Sequence, residues 1–169
     1  RTAPARDQAR RVNLAFASCQ SYEQAHYGAW ARMIADDLEA SDEDAVQFVL
    51  HLGDFIYERC WHKRIDGTEQ ARKVPPFPDG ANAEENRWAV SLADYRHLYK
   101  TYLADPELQA ARARWPFVCT WDDHEFSNDN YQSYSTYGHQ RVLEAQRKRD
   151  ANQAWFEFIP TVLDELRDQ

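Results

Sequence analysis

Hydrophobic positions along the chain fall into short blocks divided by polar punctuation. The first block, Val12-Asn13-Leu14-Ala15-Phe16-Ala17-Ser18, alternates apolar with small or polar side chains and predicts a strand over 12–18 running into Cys19. Residues 25–40 follow with Ala29, Trp30, Met33, Ile34 and Leu38 at helical spacing, an apolar stripe suited to a core. The acidic turn Ser41-Asp42-Glu43-Asp44 leads to a second apolar run, which predicts a strand over 46–53 ended by Gly53. Strand, helix and strand in this order predict a parallel pair with a right-handed crossover.

Residues 58–90 hold no sustained period and carry Pro75, Pro76 and Pro78, which predicts a long loop. Ser91 is placed as the N-cap of the next helix, with Asp94 three residues on and Tyr95, Leu98, Tyr99 and Tyr102 along one side. Asp105-Pro106 starts another helix, containing Ala110, Ala111 and Ala113, and Trp115-Pro116 ends it. Phe117-Val118-Cys119-Thr120-Trp121 predicts a third strand, followed at once by Asp122-Asp123-His124-Glu125. The Tyr- and Asn-rich stretch 126–139 reads as loop. Residues 140–158 read as a charged helix closing on Trp155, Phe156 and Phe158 before Pro160. The alternation of strands with helices predicts an α/β fold.

Composition narrows the classes. A chain of 169 residues, 43% hydrophobic and 14% aromatic, can bury the core of one domain and is neither disordered nor fibrous in character. A formal charge of -8 argues against a non-specific nucleic-acid-binding surface, which needs cations to displace counterions. A small phosphorylated substrate remains compatible, because bound metal can supply local positive charge. No apolar run has the length of a membrane span, and Arg1 to Arg11 lacks a signal-peptide pattern. The linker-like opening over 1–11, without an initiating Met, predicts a piece of something longer. Cysteines 19, 60 and 119 match no zinc-finger spacing and no even disulfide framework.

The three predicted strands end in Ser18-Cys19, Gly53-Asp54 and Asp122-Asp123-His124-Glu125. Ligands collect beyond the carboxyl ends of strands in open α/β sheets, so these ends are candidates for chemistry. Each has a plain alternative: Asp54 as a helix cap, Cys19 as a small buried hydrophobe, Tyr57 as packing, and His124 as a surface histidine satisfied by Glu125. Asp54 and Tyr57 share a site only if the chain turns after Asp54, which Gly53 eases. Together the ends offer a thiolate, carboxylates, a phenolate and an imidazole. Thiolate and phenolate favour a transition metal such as ferric iron; clustered carboxylates favour a hard divalent ion. Both kinds of ligand in one site suggest bimetallic phosphoryl chemistry. A cysteine hydrolase pairing Cys19 with His26, His51 or His124 is a further alternative.

Phe16-Ala17-Ser18-Cys19-Gln20, Leu52-Gly53-Asp54-Phe55-Ile56-Tyr57-Glu58, Asp94-Tyr95-Arg96 and Trp121-Asp122-Asp123-His124-Glu125, in that order, resemble the PhoD-type alkaline phosphatases. These belong to the calcineurin-like, or purple-acid-phosphatase-like, metallophosphoesterases. The resemblance runs from about Val12 to Pro160. It implies a four-layer sandwich of two sheets flanked by helices, of which 1–169 looks like the N-terminal half, and hydrolysis of phosphate mono- or diesters. It implies that Asp54 bridges two metals, that Tyr57 and Cys19 bind ferric iron, and that Asp123 binds a second metal, expected to be calcium. Other divalent metals could substitute. His124 would contact a phosphate oxygen in the transition state, beside Asp54 as the other catalytic residue. Asp122 and Asn128 are lesser candidates for calcium or supporting contacts, and Arg96 is expected in a structural ion pair. Export to the periplasm or outside the cell is implied too. Later histidine or aspartate motifs of the superfamily are missing: after Asn130 only His139 remains, in a loop. The rest of the domain is therefore expected as a covalent continuation or a partner chain. The chain alone is expected to be inactive, and its alternative reading is an incomplete fragment or binding module that keeps the metal-ligand scaffold.

Overall fold

In the computed structural model, residues 11–61, 63–64, 66–82, 86–136 and 141–161 are described. In chain order they form β1 (Leu14–Ala17), α1 (Gly28–Glu39), β2 (Phe48–His51), β3 (Arg59–Trp61), β4 (Ala81–Asn82) and β5 (Asn86–Trp88). Then come α2 (Leu92–Leu103), α3 (Pro106–Arg114), β6 (Phe117–Cys119), a single 3-10 turn at Asp123–Glu125, β7 (Tyr134–Ser135), β8 (Val142–Leu143) and α4 (Ala145–Phe158). The fold is mixed α/β.

The three predicted strands form one parallel sheet in the order β1-β2-β6. Leu14 pairs with Phe48 and Ala17 with His51; His51 in turn pairs with Cys119. Parallel pairing in this register puts all three strand ends on one edge, as the spacing predicts. Side chains alternate across the sheet. Ala15, Ala17, Val49, Phe117 and Cys119 face the core, where Trp30 of α1 meets Phe117 at 5.3 Å between ring centroids. The tyrosine face of α2 is buried as expected: Tyr95, Leu98, Tyr99 and Tyr102 all lie inside. Tyr99 stacks on Phe158 of α4 at 5.4 Å.

The opposite face differs. Leu14, Phe16 and Val118 are 46%, 75% and 56% exposed. Parallel sheets ordinarily have both faces covered. No described element covers this one.

The helix starts follow the capping logic. Ser91 Oγ accepts from Asp94 N at 3.3 Å, and Asp105 Oδ1 accepts from Leu108 N at 3.0 Å. Three expectations need correction. The stretch 58–90 is not all loop: β3, β5 and β4 form a small antiparallel sheet, with strands too short to show a period. The last helix begins at Ala145 rather than near 140, because Val142–Leu143 pair with Tyr134–Ser135. On α1, Leu38 is 66% exposed while Asp37 is buried. Asp37 Oδ1 accepts from Val46 N at 2.6 Å and Oδ2 accepts from Arg114 Nε at 2.7 Å, which satisfies the carboxylate inside. His139 and most of the linker-like segment 1–11 lie outside the described residues.

Candidate metal centre and active site

Beyond the ends of β1 and β2 the backbone turns sharply. Cys19, Gly53 and Asp54 all adopt positive φ, at 57°, 101° and 54°. Gly53 has to be glycine: a Cβ there would lie 2.4 Å from Asp122 Cβ, and its φ is in the region L side chains avoid. That close approach brings the β2 exit against the β6 exit. Cys19 N donates to Gly53 O and Gln20 N to Asp54 O, both at 3.2 Å, which ties in the β1 exit.

Glu125 locks the β2 and β6 exits together. It is fully buried, with Oε2 accepting from Asp54 N at 3.1 Å and Asp122 N at 2.7 Å, and Oε1 accepting from Phe55 N at 2.6 Å. Burial pushes its carboxyl up to about 7, against the lowering effect of the Asp122, Phe55 and Asp54 amides. The sequence offers Glu125 only as a partner for His124; the structure instead makes it a clamp on backbone amides. His124 is held by Glu58, not by Glu125. Glu58 is fully buried, its Oε2 lies 2.7 Å from His124 Nδ1, and its Oε1 accepts from Asn128 N at 2.8 Å. Burial acts to lower the His124 pKa, but the Glu58 hydrogen bond and the Glu58, Asp54 and Asp123 charges outweigh it and raise it to about 9.

The turn after Asp54 brings Tyr57 back, as sharing a site requires. Tyr57 Oη donates to Asp54 Oδ2 at 3.2 Å, and its ring lies 4.1 Å from that of His124. Cys19 is exposed rather than a buried hydrophobe, and its side chain is within hydrogen-bonding reach of Asp54 and Tyr57. Burial raises the Asp54 carboxyl, opposed by His124 and the Cys19 and Tyr57 hydrogen bonds. Burial and the neighbouring Asp54 and Cys19 also raise the Tyr57 phenol. Asp54, Asp123 and His124 each present one donor atom, and these atoms lie within 4.8 Å of one another. Asp54 Oδ1 is buried and has no hydrogen-bond partner. A carboxylate with an orphaned buried oxygen, grouped with the Asp123 carboxylate and the His124 imidazole, is a donor set that fits a cation; Cys19 is not part of that group.

The remaining candidates are placed differently. Asp122 accepts from Asp123 N at 2.9 Å and caps the 3-10 turn. The Asn128 side chain donates to Asp129 Oδ2 at 2.7 Å. Arg96 forms the expected ion pair, with Glu157, at 2.6 and 2.5 Å. His51 is buried on the covered face against Phe55, 5.0 Å between rings, and His26 is exposed.

The sequence model of the PhoD-like phosphatases matches residues 14–169. The chain belongs to the PhoD-like phosphatase family. It is 33% identical over 155 residues to alkaline phosphatase D of Bacillus subtilis (strain 168), a match covering 92% of this chain and 24% of that protein. It also resembles a solved structure of PhoD, with a TM-score of 0.64 and 33% identity, over 92% of this chain and 27% of that one. The PhoD-like chain thus spans about a quarter of the length of these relatives. No described helix of the chain is long and apolar enough to cross a membrane.

Proposed function

We propose that this PhoD-like chain forms part of a metal-dependent phosphoesterase, an alkaline phosphatase or phosphodiesterase acting on phosphate mono- or diesters at a bimetallic site. The observation that carries the reading is the convergence of Asp54, Asp123 and His124 donor atoms within 4.8 Å, beside an Asp54 oxygen without a partner.

Asp54 would be shared between two metals, with Cys19 and Tyr57 on the side of a ferric ion and Asp123 on the side of calcium. When bound, such ions would supply the positive charge that phosphoryl transfer needs and orient an oxygen nucleophile. His124, fixed by Glu58 through Nδ1, would donate a hydrogen bond to a phosphoryl oxygen as negative charge builds there. Glu125 keeps the Asp54 and Asp122 backbones in place, and the Tyr57 ring packs against His124.

The apolar face formed by Leu14, Phe16 and Val118 supports the four-layer architecture, with a second sheet of the same domain packed on it. On that reading residues 1–169 are the N-terminal portion of a single phosphatase domain, whose remainder is a covalent continuation or a partner chain. The family resemblance also carries an exported location. A second reading, a catalytically incomplete piece or binding module that keeps the ligand scaffold, draws on the 24% of the relative's length that the chain spans.

Elemental analysis of the intact protein with Asp54→Asn tests the proposal. The amide weakens attraction to both cations, so metal content and hydrolysis of p-nitrophenyl phosphate should fall together. Retention of both metals with near-normal turnover would overturn it.

A further inference from the structure

A cavity of about 640 Å³ opens beside the candidate metal centre, with His124 and Tyr57 in the wall it shares with that centre. Its volume lies in the range of small-molecule sites. The walls farther out carry Ser21, Trp61, Arg59 and Arg141. The Arg59 guanidinium lies over a ring, 4.0 Å from the Trp61 centroid, whereas that of Arg141 is 5.9 Å from the Tyr131 centroid, too far to stack. Stacking on Trp61 occupies the flat face of the Arg59 guanidinium and holds its charge at the cavity wall. Two carboxylates also line the cavity, and both have partners. Glu23 is buried and accepts from Trp61 N, while Asp129 Oδ2 accepts from Asn128 Nδ2 at 2.7 Å.

An ester whose phosphorus sits among Asp54, Asp123 and His124 must send its alcohol half somewhere. Space for it lies on the His124–Tyr57 side, and there it meets Arg141 and Arg59. We propose that this cavity holds the alcohol half of the phosphate ester, and that it selects alcohols carrying a second negative charge, which Arg141 binds with Arg59 beside it. The inference rests on the phosphoesterase reading for the word "ester" alone; the cavity and its cations are independent of it. Organic phosphates with a further anionic group on the alcohol side would then be preferred over neutral alkyl or aryl phosphates, which remain slower substrates.

The test uses alcohols without phosphate, so that binding does not depend on the metals. Benzyl alcohol and its meta-carboxylate are titrated into the intact protein, metal-free and metal-loaded, by calorimetry and tryptophan fluorescence. The carboxylate should bind at least about tenfold more tightly, as a charge-assisted hydrogen bond allows. Arg141→Gln should remove most of that preference and Arg141→Glu should reverse it, while Asp54→Asn should keep it. Arg141 is exposed, so these variants leave the core untouched. Equal affinity for the two alcohols, or a preference unchanged in both Arg141→Gln and Arg59→Gln, would overturn the proposal. Phosphate-ester turnover by the loaded protein is a separate readout; its absence would remove the phosphoesterase reading and leave the binding result standing.

Discussion

Glu58 Oε2 lies 2.7 Å from His124 Nδ1, although 66 residues separate the two in the chain. One fully buried carboxylate therefore fixes an imidazole whose ring also packs on Tyr57. Its second oxygen holds the Asn128 amide, so the carboxylate itself cannot swing away. Groups that orient an active-site histidine typically matter by about ten- to a hundredfold.

In the intact protein, Glu58→Gln should lower kcat by about that factor and leave metal content unchanged. His124→Ala should cost more, about 10²–10³ in kcat, again with metals retained, because in the proposed role the lost group would donate only to the transition state. Turnover paired with elemental analysis checks both. Metal loss in His124→Ala would instead make His124 a ligand and redraw its role relative to Asp123.

Cys19 separates two chemistries. If its thiolate binds iron, Cys19→Ser should lower iron affinity and shift or bleach the visible absorption of a ferric phenolate–thiolate centre. A Cys19 that only packs would leave the spectrum alone. A cysteine hydrolase would show no such band at all. Visible spectroscopy of the metal-loaded protein decides among the three.

Gly53→Ala should be among the costliest single changes. The added Cβ meets Asp122 Cβ at 2.4 Å and Asp122 N at 2.7 Å, both close to the backbone and unable to yield as a side-chain tip would. Strain at φ 101° adds to the clash. A loss of about 2 kcal/mol or more is expected, read as a lower urea midpoint. Metal affinity should fall as well, since the same contact sets the Asp54 turn.

His51 should make the protein sensitive to acid. It is fully buried on β2, and burial, with some help from Arg112, lowers its pKa to about 4 from an ordinary value near 6.5. The unfolded state therefore binds the extra proton first as pH falls. The stability at stake is fully present above about pH 6.5 and is lost progressively down to about pH 4, to the extent of about 3 kcal/mol. His51→Phe should flatten the dependence of the urea midpoint on pH across that window. An unchanged slope would show that other groups govern acid unfolding.

Residues 1–169 made alone should hydrolyse neither p-nitrophenyl phosphate nor its bis-ester at a useful rate, even with iron and calcium supplied. On the proposed reading Cys19, Asp54, Tyr57 and Asp123 would be few ligands for two ions, and no described element covers the Leu14–Phe16–Val118 face. The same face should drive self-association, visible by sedimentation. A monomer with robust turnover would show the site to be complete within this length.

Much of the local architecture follows from the sequence by itself. The alternation over Val12–Ser18, the Ser91 and Asp105 caps and the tyrosine face of α2 depend on neighbours within about a turn of helix or a few strand residues, and such signals are legible one segment at a time. The same holds for Cys19, Asp54 and Asp123 lying just past strand ends. The roles of Glu58 and Glu125 belong to the tertiary structure, because their partners sit about 70 residues away. Strands β3 to β5 escape detection because two or three residues cannot display a period. The burial of Asp37 and the exposure of Leu38 were likewise decided by packing, since Arg114 reaches in from another helix to satisfy the carboxylate. Which side chains finally meet depends on how the strands and helices pack, and that long-range geometry leaves no local trace in the chain.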